Sequence, residues 1–404
     1  MVHPSRRSTG WLAVLLVLSG VMAALHVGKL PTVIPILSRE LGMSLVQAGF
    51  LLSLIQVAGM ALGAWAGSLA DRLGPKRVLC AGLSLLAIGS LLSAWAQSVP
   101  GLMGARAVES AGFLFTVIAA PVLLRRWLTQ PSALQKALGF WGAYMPIGIA
   151  IALLLTPWAY GAWGWRWTWV GLALMTLAVA VMVFLRVPTD TDHRSMGERR
   201  SMAAALAMTL TSSGPWLVAL AFLMYSGQWM AVIGFLPTIY LESGWSPAWI
   251  GPLTAMAAGV NLIGNIMAGR LLAYGTSPGL LMGLGYLSMM AGAWGVLAAG
   301  WPPVMQYGAV LMFSALGGMI PATLFSMALA LAPSRETVTT TVGWVQQLSS
   351  TGQFMTPPLV AWIAAGFGGW QHTVWMNMVL GGCGVFLAWR LQSRWRMFKR
   401  PAHG

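Results

Sequence analysis

Apolar residues run along this chain in long blocks broken by glycine, proline or charge, at 11–37, 45–70, 78–97, 100–124, 137–158, 164–186, 215–241, 247–272, 279–299, 303–331, 338–365 and 371–390. A helix of about 20 predominantly apolar residues crosses the hydrocarbon core of a bilayer. The pattern therefore predicts twelve spans and an all-α membrane protein. Composition agrees: 58% of the 404 residues are hydrophobic and 8% are charged, against roughly 45–50% and about 25% in soluble domains. The block at 11–37 follows Arg6 and Arg7 and so imitates a secretory signal. It carries no small-x-small cleavage site and is expected to persist as the first span.

The net charge of +15 does not mark a nucleic-acid binder, because the basic residues sit between apolar blocks rather than on one soluble face. With the N-terminus inside, 19 of the 23 Lys and Arg residues fall in cytoplasmic segments, from Arg6 and Arg7 through Arg125, Arg126, Lys136, Arg199 and Arg200 to Arg394 and Arg400. Arg39 and Arg166 fall outside, and Lys29 and Arg106 lie within spans. The positive-inside rule then places both termini in the cytoplasm, in a bacterial inner membrane. Trp158, Trp163, Trp165, Trp167, Trp245, Trp249 and Trp370 gather at the expected outer edge as an interfacial belt would. Cys80 and Cys383, far apart inside apolar blocks, exclude a disulfide scaffold. Eight acidic residues and five histidines leave little for a hydrolytic metal or triad enzyme. No nucleotide-binding signature is present, and no cofactor is expected.

The chain reads as two halves. Leu30-Pro31-Thr32 recurs as Leu236-Pro237-Thr238, Ala66-Gly67 as Ala268-Gly269, Gly148 as Gly352 and Gly164-Trp165 as Gly369-Trp370, at offsets of 206, 202, 204 and 205. Four matches in one order argue for a six-plus-six duplication. The expected units are an N-terminal six-helix bundle at 1–187, a cytoplasmic linker at 188–213 and a C-terminal six-helix bundle at 214–404.

Between the second and third spans stands Gly67-Ser68-Leu69-Ala70-Asp71-Arg72-Leu73-Gly74-Pro75-Lys76-Arg77. This resembles the signature of the major facilitator superfamily of secondary transporters. Physically, Gly67 lets helices approach closely, Gly74 permits a tight turn, and Asp71 can accept from an arginine or a helix N-terminus. The resemblance implies a conformational latch formed by Gly67, Asp71, Arg72, Gly74 and Arg77. The equivalent loop of the second half, Gly269-Arg270-Leu271, lacks the aspartate. In the fourth span Leu102, Arg106, Glu109 and Gly112 resemble the superfamily's second motif, whose intramembrane arginine is associated with proton coupling; here Glu109 stands in place of glutamine and Ser110 in place of glycine. Gly142-Ala143-Tyr144-Met145-Pro146-Ile147-Gly148 is a degenerate form of the antiporter motif. Lys29-Leu30-Pro31, Pro121 with Arg125-Arg126, and Leu155-Thr156-Pro157-Trp158 are similar to the cyanate and nitroimidazole transporter branch, although Lys29 is one residue displaced from that branch's arginine.

A charge near the bilayer centre costs roughly 2.5–3.5 kcal/mol, so Lys29, Arg106 and Glu109 need a shared reason to be there. Helix rise puts Lys29 about 12 Å and Arg106 about 9 Å below the outer helix ends. The superfamily resemblance implies that both line a central cavity. His26 shares a face with Lys29, and Glu109 with Arg106, each pair at i, i+3. The functional reading is an anion site, with Glu109 and Arg106 coupling it to protons; the alternative is a snorkelling Lys29 beside a structural Arg106–Glu109 pair. From the second half Tyr225, Gln228 and Trp229, Asn261 and Asn265, and the stripe Gln346, Ser350 and Gln353 can contact a polar ligand, with Trp141, Trp229 or Phe313 stacking on it. Such amides also join helices in membranes. The expected function is secondary active, proton-coupled uptake of a small organic or inorganic anion by a monomer whose other partners are protons and the lipid bilayer. Efflux of lipophilic drugs by proton antiport is the alternative.

Overall fold

The computed structural model describes residues 6–128, 130–188, 202–298, 300–334 and 337–399. Every regular element in it is helical. The order is α1 (Arg6–Gly28), α2 (Ile34–Leu41), α3 (Leu45–Ser53), α4 (Val57–Leu73), α5 (Pro75–Trp95), α6 (Val99–Trp127), α7 (Pro131–Gly142), α8 (Tyr144–Arg186), α9 (Met202–Thr211), α10 (Ser213–Glu242), α11 (Pro247–Gly259), α12 (Asn261–Ala273), α13 (Pro278–Leu297), α14 (Pro303–Gly317), α15 (Met319–Ala330), α16 (Val338–Phe367) and α17 (Val374–Lys399). Among the described residues ten helical stretches are long and apolar enough to cross a membrane. Large apolar side chains such as Leu185, Val304, Phe184 and Val379 are exposed around the outside, as a lipid solvent allows.

Several predicted spans are interrupted, and proline chemistry explains most of the breaks. The block at 11–37 is helical only to Gly28; residues 29–33 form a turn before α2. Pro31 has no N–H for the Val27 carbonyl and its ring clashes there. Pro35 then starts α2 at a first-turn position where its missing donor costs nothing. Pro146 and Pro321 likewise end the preceding helices at Ala143 and Gly318. Gly164, at φ 76°, bends the 43-residue α8 at the point where the sequence separates its fifth and sixth spans. Between α3 and α4 the helix tightens at 54–56, and the Ala58 N–H donates to Ser110 Oγ of α6 at 2.8 Å. Ser110 thus has a structural use at the position where the family pattern carries glycine.

Some helix contacts of the first half of the chain have counterparts 202 to 205 residues further on. A Cβ at Gly148 would meet Ala24 at 2.5 Å and the Val21 carbonyl at 2.8 Å; one at Gly352 would meet the Leu223 carbonyl at 2.4 Å and Ser226 at 3.0 Å. Gly89 approaches Glu109 and Ala105 as Gly292 approaches Phe313 and Ala309. Trp165 Nε1 donates to Glu40 at 2.9 Å, and Trp370 Nε1 donates to Glu242 at 2.6 Å. These bonds change the reading of the tryptophan belt. Trp158, Trp163, Trp167 and Trp249 are exposed, but Trp165 is buried, Trp370 holds Glu242, and Trp245 stacks on Tyr240 at 4.8 Å.

Helices α3 and α4 pack against α16. Cβ atoms at Gly49, Gly59 and Gly63 would strike Pro358, Ser350 and Gln347 at 2.7, 2.5 and 2.8 Å, so glycine is what lets these backbones touch. Gln347 reaches into α4, donating to the Met60 carbonyl at 2.8 Å and accepting from the Ala64 N–H at 2.9 Å.

Candidate functional site

The turn at 29–33 is what builds the site. Where the helical ladder of α1 stops, the carbonyl of His26 accepts from Arg106 Nη1 at 2.6 Å and that of Lys29 accepts from the Tyr160 hydroxyl. Two backbone acceptors at the end of the α1 ladder are thereby satisfied by side chains from α6 and α8.

Around them four ionisable groups meet in full burial: His26 and Glu109 at 0%, Lys29 at 1% and Arg106 at 2% exposure. Lys29 Nζ lies 2.5 Å from Glu109 Oε1, 2.9 Å from Ser90 Oγ and 3.4 Å from His26 Nδ1. Its three hydrogens are all accounted for. Arg106 Nη1 pairs with the other carboxylate oxygen, Glu109 Oε2. His26 Nε2 is 2.9 Å from the Thr176 hydroxyl, which itself donates to the Leu172 carbonyl at 2.8 Å. Thr176 can then only accept, so Nε2 carries the imidazole proton and Nδ1 presents its lone pair to Lys29, 3.4 Å from Glu109 Oε1. Lys29 also lies over the Trp169 ring at 4.5 Å. The Trp169 indole donates to the Tyr160 oxygen at 3.3 Å, and its carbonyl accepts from Ser90 at 3.0 Å.

The structure therefore brings His26, Lys29, Arg106 and Glu109 together, and every partner named belongs to α1, α5, α6, α8 or the turn. Lys29 does not snorkel. Ser90, Tyr160, Trp169 and Thr176 were not singled out from the sequence. The available signal was the spacing of Trp169 and Thr176, which places both on one face of the sixth span.

The second-half candidates do not join this cluster. Tyr225 bonds Asn261, Trp229 bonds Ser314 at 3.3 Å, and the buried Gln228 donates to the Asn377 carbonyl at 2.6 Å. Ser350 and Gln353 both bond Gln56, at 3.2 and 3.1 Å, and so join the halves, while Gln346 is half-buried. Trp141 stacks on Tyr144 at 4.6 Å, and Phe313 is wholly buried. Of the latch, Gly74 has φ 87°, a turn only glycine makes readily, and Arg77 is exposed. The side chains of Asp71 and Arg72, with Gly67, lie outside the described residues, as does linker segment 189–201. Among the described residues no group of three or more His, Cys, Asp or Glu side chains is placed to hold a metal ion.

Ionisable groups buried among apolar helices long enough to cross a membrane are what a transport pathway requires. The sequence model of the Major Facilitator Superfamily matches residues 12–350, and the chain belongs to that superfamily. Two solved structures share the fold: a bacterial homologue of the human lysosomal transporter Spinster, inward-facing and unoccupied (15% identity, 99% of this chain and 100% of that one, TM-score 0.81), and the inward-facing occupied form (15% identity, 98% of each chain, TM-score 0.75). No curated protein matches the chain in sequence.

Proposed function

We propose that this transporter carries a small organic or inorganic anion across the bacterial inner membrane, that uptake is coupled to protons, and that the cluster of His26, Lys29, Arg106 and Glu109 is where anion and proton meet. One observation carries the reading. Two cations surround one carboxylate in full burial, so the cluster is formally one positive charge in excess, and Arg106 Nε and Nη2 have no acceptor among the described residues. A buried excess cation is costly until an anion joins it.

Coupling follows from competition. An arriving anion and Glu109 compete for the same cations, so the anion binds better when Glu109 is protonated, and linkage makes anion binding promote proton uptake. One proton moving with one monovalent anion is electrically neutral and driven by the pH gradient.

The architecture is read as twelve spans in two six-helix halves with both termini cytoplasmic. Dividing α8 at Gly164 and counting α16 takes the ten apolar stretches to twelve. The paired contacts of Gly148 and Gly352, and of Trp165 and Trp370, support the duplication. The outer face is read as closed: a Cβ at Gly251 would lie 3.0 Å from Pro157, one at Gly49 would strike Pro358, and residues 227–240 of α10 are buried without a gap. The latch of Gly67, Asp71, Arg72, Gly74 and Arg77 is assigned to the opposite, cytoplasmic face.

The test is transport in proteoliposomes by Glu109→Gln, which imitates the protonated acid. Exchange between equal substrate pools should survive, and accumulation driven by an imposed pH gradient should vanish. A variant that still concentrates substrate on ΔpH alone would move the proton site elsewhere, with His26 the next residue to change.

A further inference from the structure

The two cations of the cluster differ in what they still have to give. Lys29 is saturated by Glu109, Ser90 and His26. Arg106 spends Nη1 on Glu109 Oε2 and on the His26 carbonyl, and nothing described accepts from Nε or Nη2, although the residue is 2% exposed. The two unspent nitrogens are not arbitrary. Nε and Nη2 form one edge of the guanidinium plane, and that edge presents two parallel N–H bonds, a spacing that matches two oxygens on one central atom. An ammonium has no such preference and would take any single acceptor.

Resting on the anion-transport reading above, we infer that the substrate is a monovalent anion with two oxygens on one central atom, a carboxylate or a comparable oxyanion, held through both oxygens by Arg106 Nε and Nη2. Halides and linear pseudohalides offer one acceptor atom at a time and leave the second donor unpaired. Lys29 acts in this arrangement as a positioning residue: it holds Glu109 Oε1, so that Oε2 takes Arg106 Nη1 and turns the free edge of the guanidinium away from the carboxylate.

The test uses purified full-length protein, wild type, Arg106→Lys and Arg106→Gln. Dissociation constants are measured by thermal shift and calorimetry at matched ionic strength for formate, acetate, benzoate and nitrate, and for chloride, azide and thiocyanate. The two-oxygen anions should bind wild type about tenfold or more tightly than the single-acceptor anions, the difference expected of a forked charge-assisted pair. Arg106→Lys should abolish that preference while leaving the single-acceptor anions within about twofold of wild type. If chloride or thiocyanate binds wild type as well as the carboxylates do, and Arg106→Gln weakens all of them, the anion reading stands and the two-oxygen class is wrong. If no anion of either kind binds, or Arg106→Gln leaves every constant unchanged, the anion reading itself falls. Should Arg106→Lys fail to fold, the wild-type ranking alone decides the class.

Discussion

Lys29 and Glu109, 80 residues apart in sequence, meet at 2.5 Å with neither side chain reaching the surface. The contact exists because Pro31 ends α1 near the depth at which α6 carries its only acid. Removing one partner of a buried ion pair typically costs about 3–5 kcal/mol, because the other charge is left alone.

That figure is not expected to apply equally to both partners. Lys29→Met leaves the Arg106–Glu109 pair neutral, whereas Glu109→Gln leaves two cations facing each other. Glu109→Gln should therefore lower the unfolding temperature more than Lys29→Met. Adding Lys29→Met to Glu109→Gln should raise it again. A double-mutant cycle of thermal unfolding in detergent checks this; additive losses would show that the two residues are uncoupled.

Gly89 supplies a second expectation. A Cβ there would lie 2.5 Å from Glu109 Cγ and 2.8 Å from the Glu109 backbone nitrogen; at the corresponding Gly292 it would lie 2.6 Å from Phe313 Cβ. Both Gly→Ala variants force helices apart and should cost about 1–3 kcal/mol. Only Gly89→Ala presses on the carboxylate, so only it should alter the pH dependence of uptake. The comparison is read from pH profiles of the two variants; identical profiles would remove Glu109 from the coupling.

Much of this was legible in the chain, and the failures have physical reasons. Buried charge is so costly that Lys29, Arg106 and Glu109 announce themselves, and each Gly-Trp pair carries a tryptophan that donates to a glutamate. Sequence similarity does not fix local geometry, however. Leu30-Pro31-Thr32 lies in a turn, because Pro35 follows Pro31, while Leu236-Pro237-Thr238 lies within continuous α10, where no second proline follows. Ser90, Tyr160, Trp169 and Thr176 stayed hidden because neutral residues of these types are ordinary in membrane helices and acquire meaning only from what they face. The bonds of Gln347 to α4 were equally hidden: neighbouring residues on a helix point about 100° apart, and hydropathy alone does not set whether Gln346 or Gln347 faces α4.

Gln347 leads to a third expectation. Its amide occupies the Ala64 N–H and the Met60 carbonyl, which are four residues apart in α4 and can bond each other if it is removed. Gln347→Leu should therefore cost about 1 kcal/mol or less in stability. It should nevertheless shift the balance between inward- and outward-open forms, because the clip joins the halves. Spin-label distances between the Leu73 end of α4 and the Val338 end of α16 check this; an unchanged distribution would make Gln347 a packing residue only.

Topology can be examined independently of the site. Reporter fusions after Arg200 and after Arg394 should both report the cytoplasm, since both lie in segments rich in positive charge. A periplasmic signal at either would overturn the topology assigned above.

The central claim is that anion and proton share one cluster, and proton uptake on binding measures it directly. Purified protein in weakly buffered solution is mixed with benzoate, and the pH change is followed with an indicator dye. Wild type should take up about one proton per anion bound, as linkage requires when the anion and the ionised carboxylate compete for the same cations. Glu109→Gln should bind benzoate and take up none. Binding without proton uptake in wild type, or equal uptake in Glu109→Gln, would contradict the account.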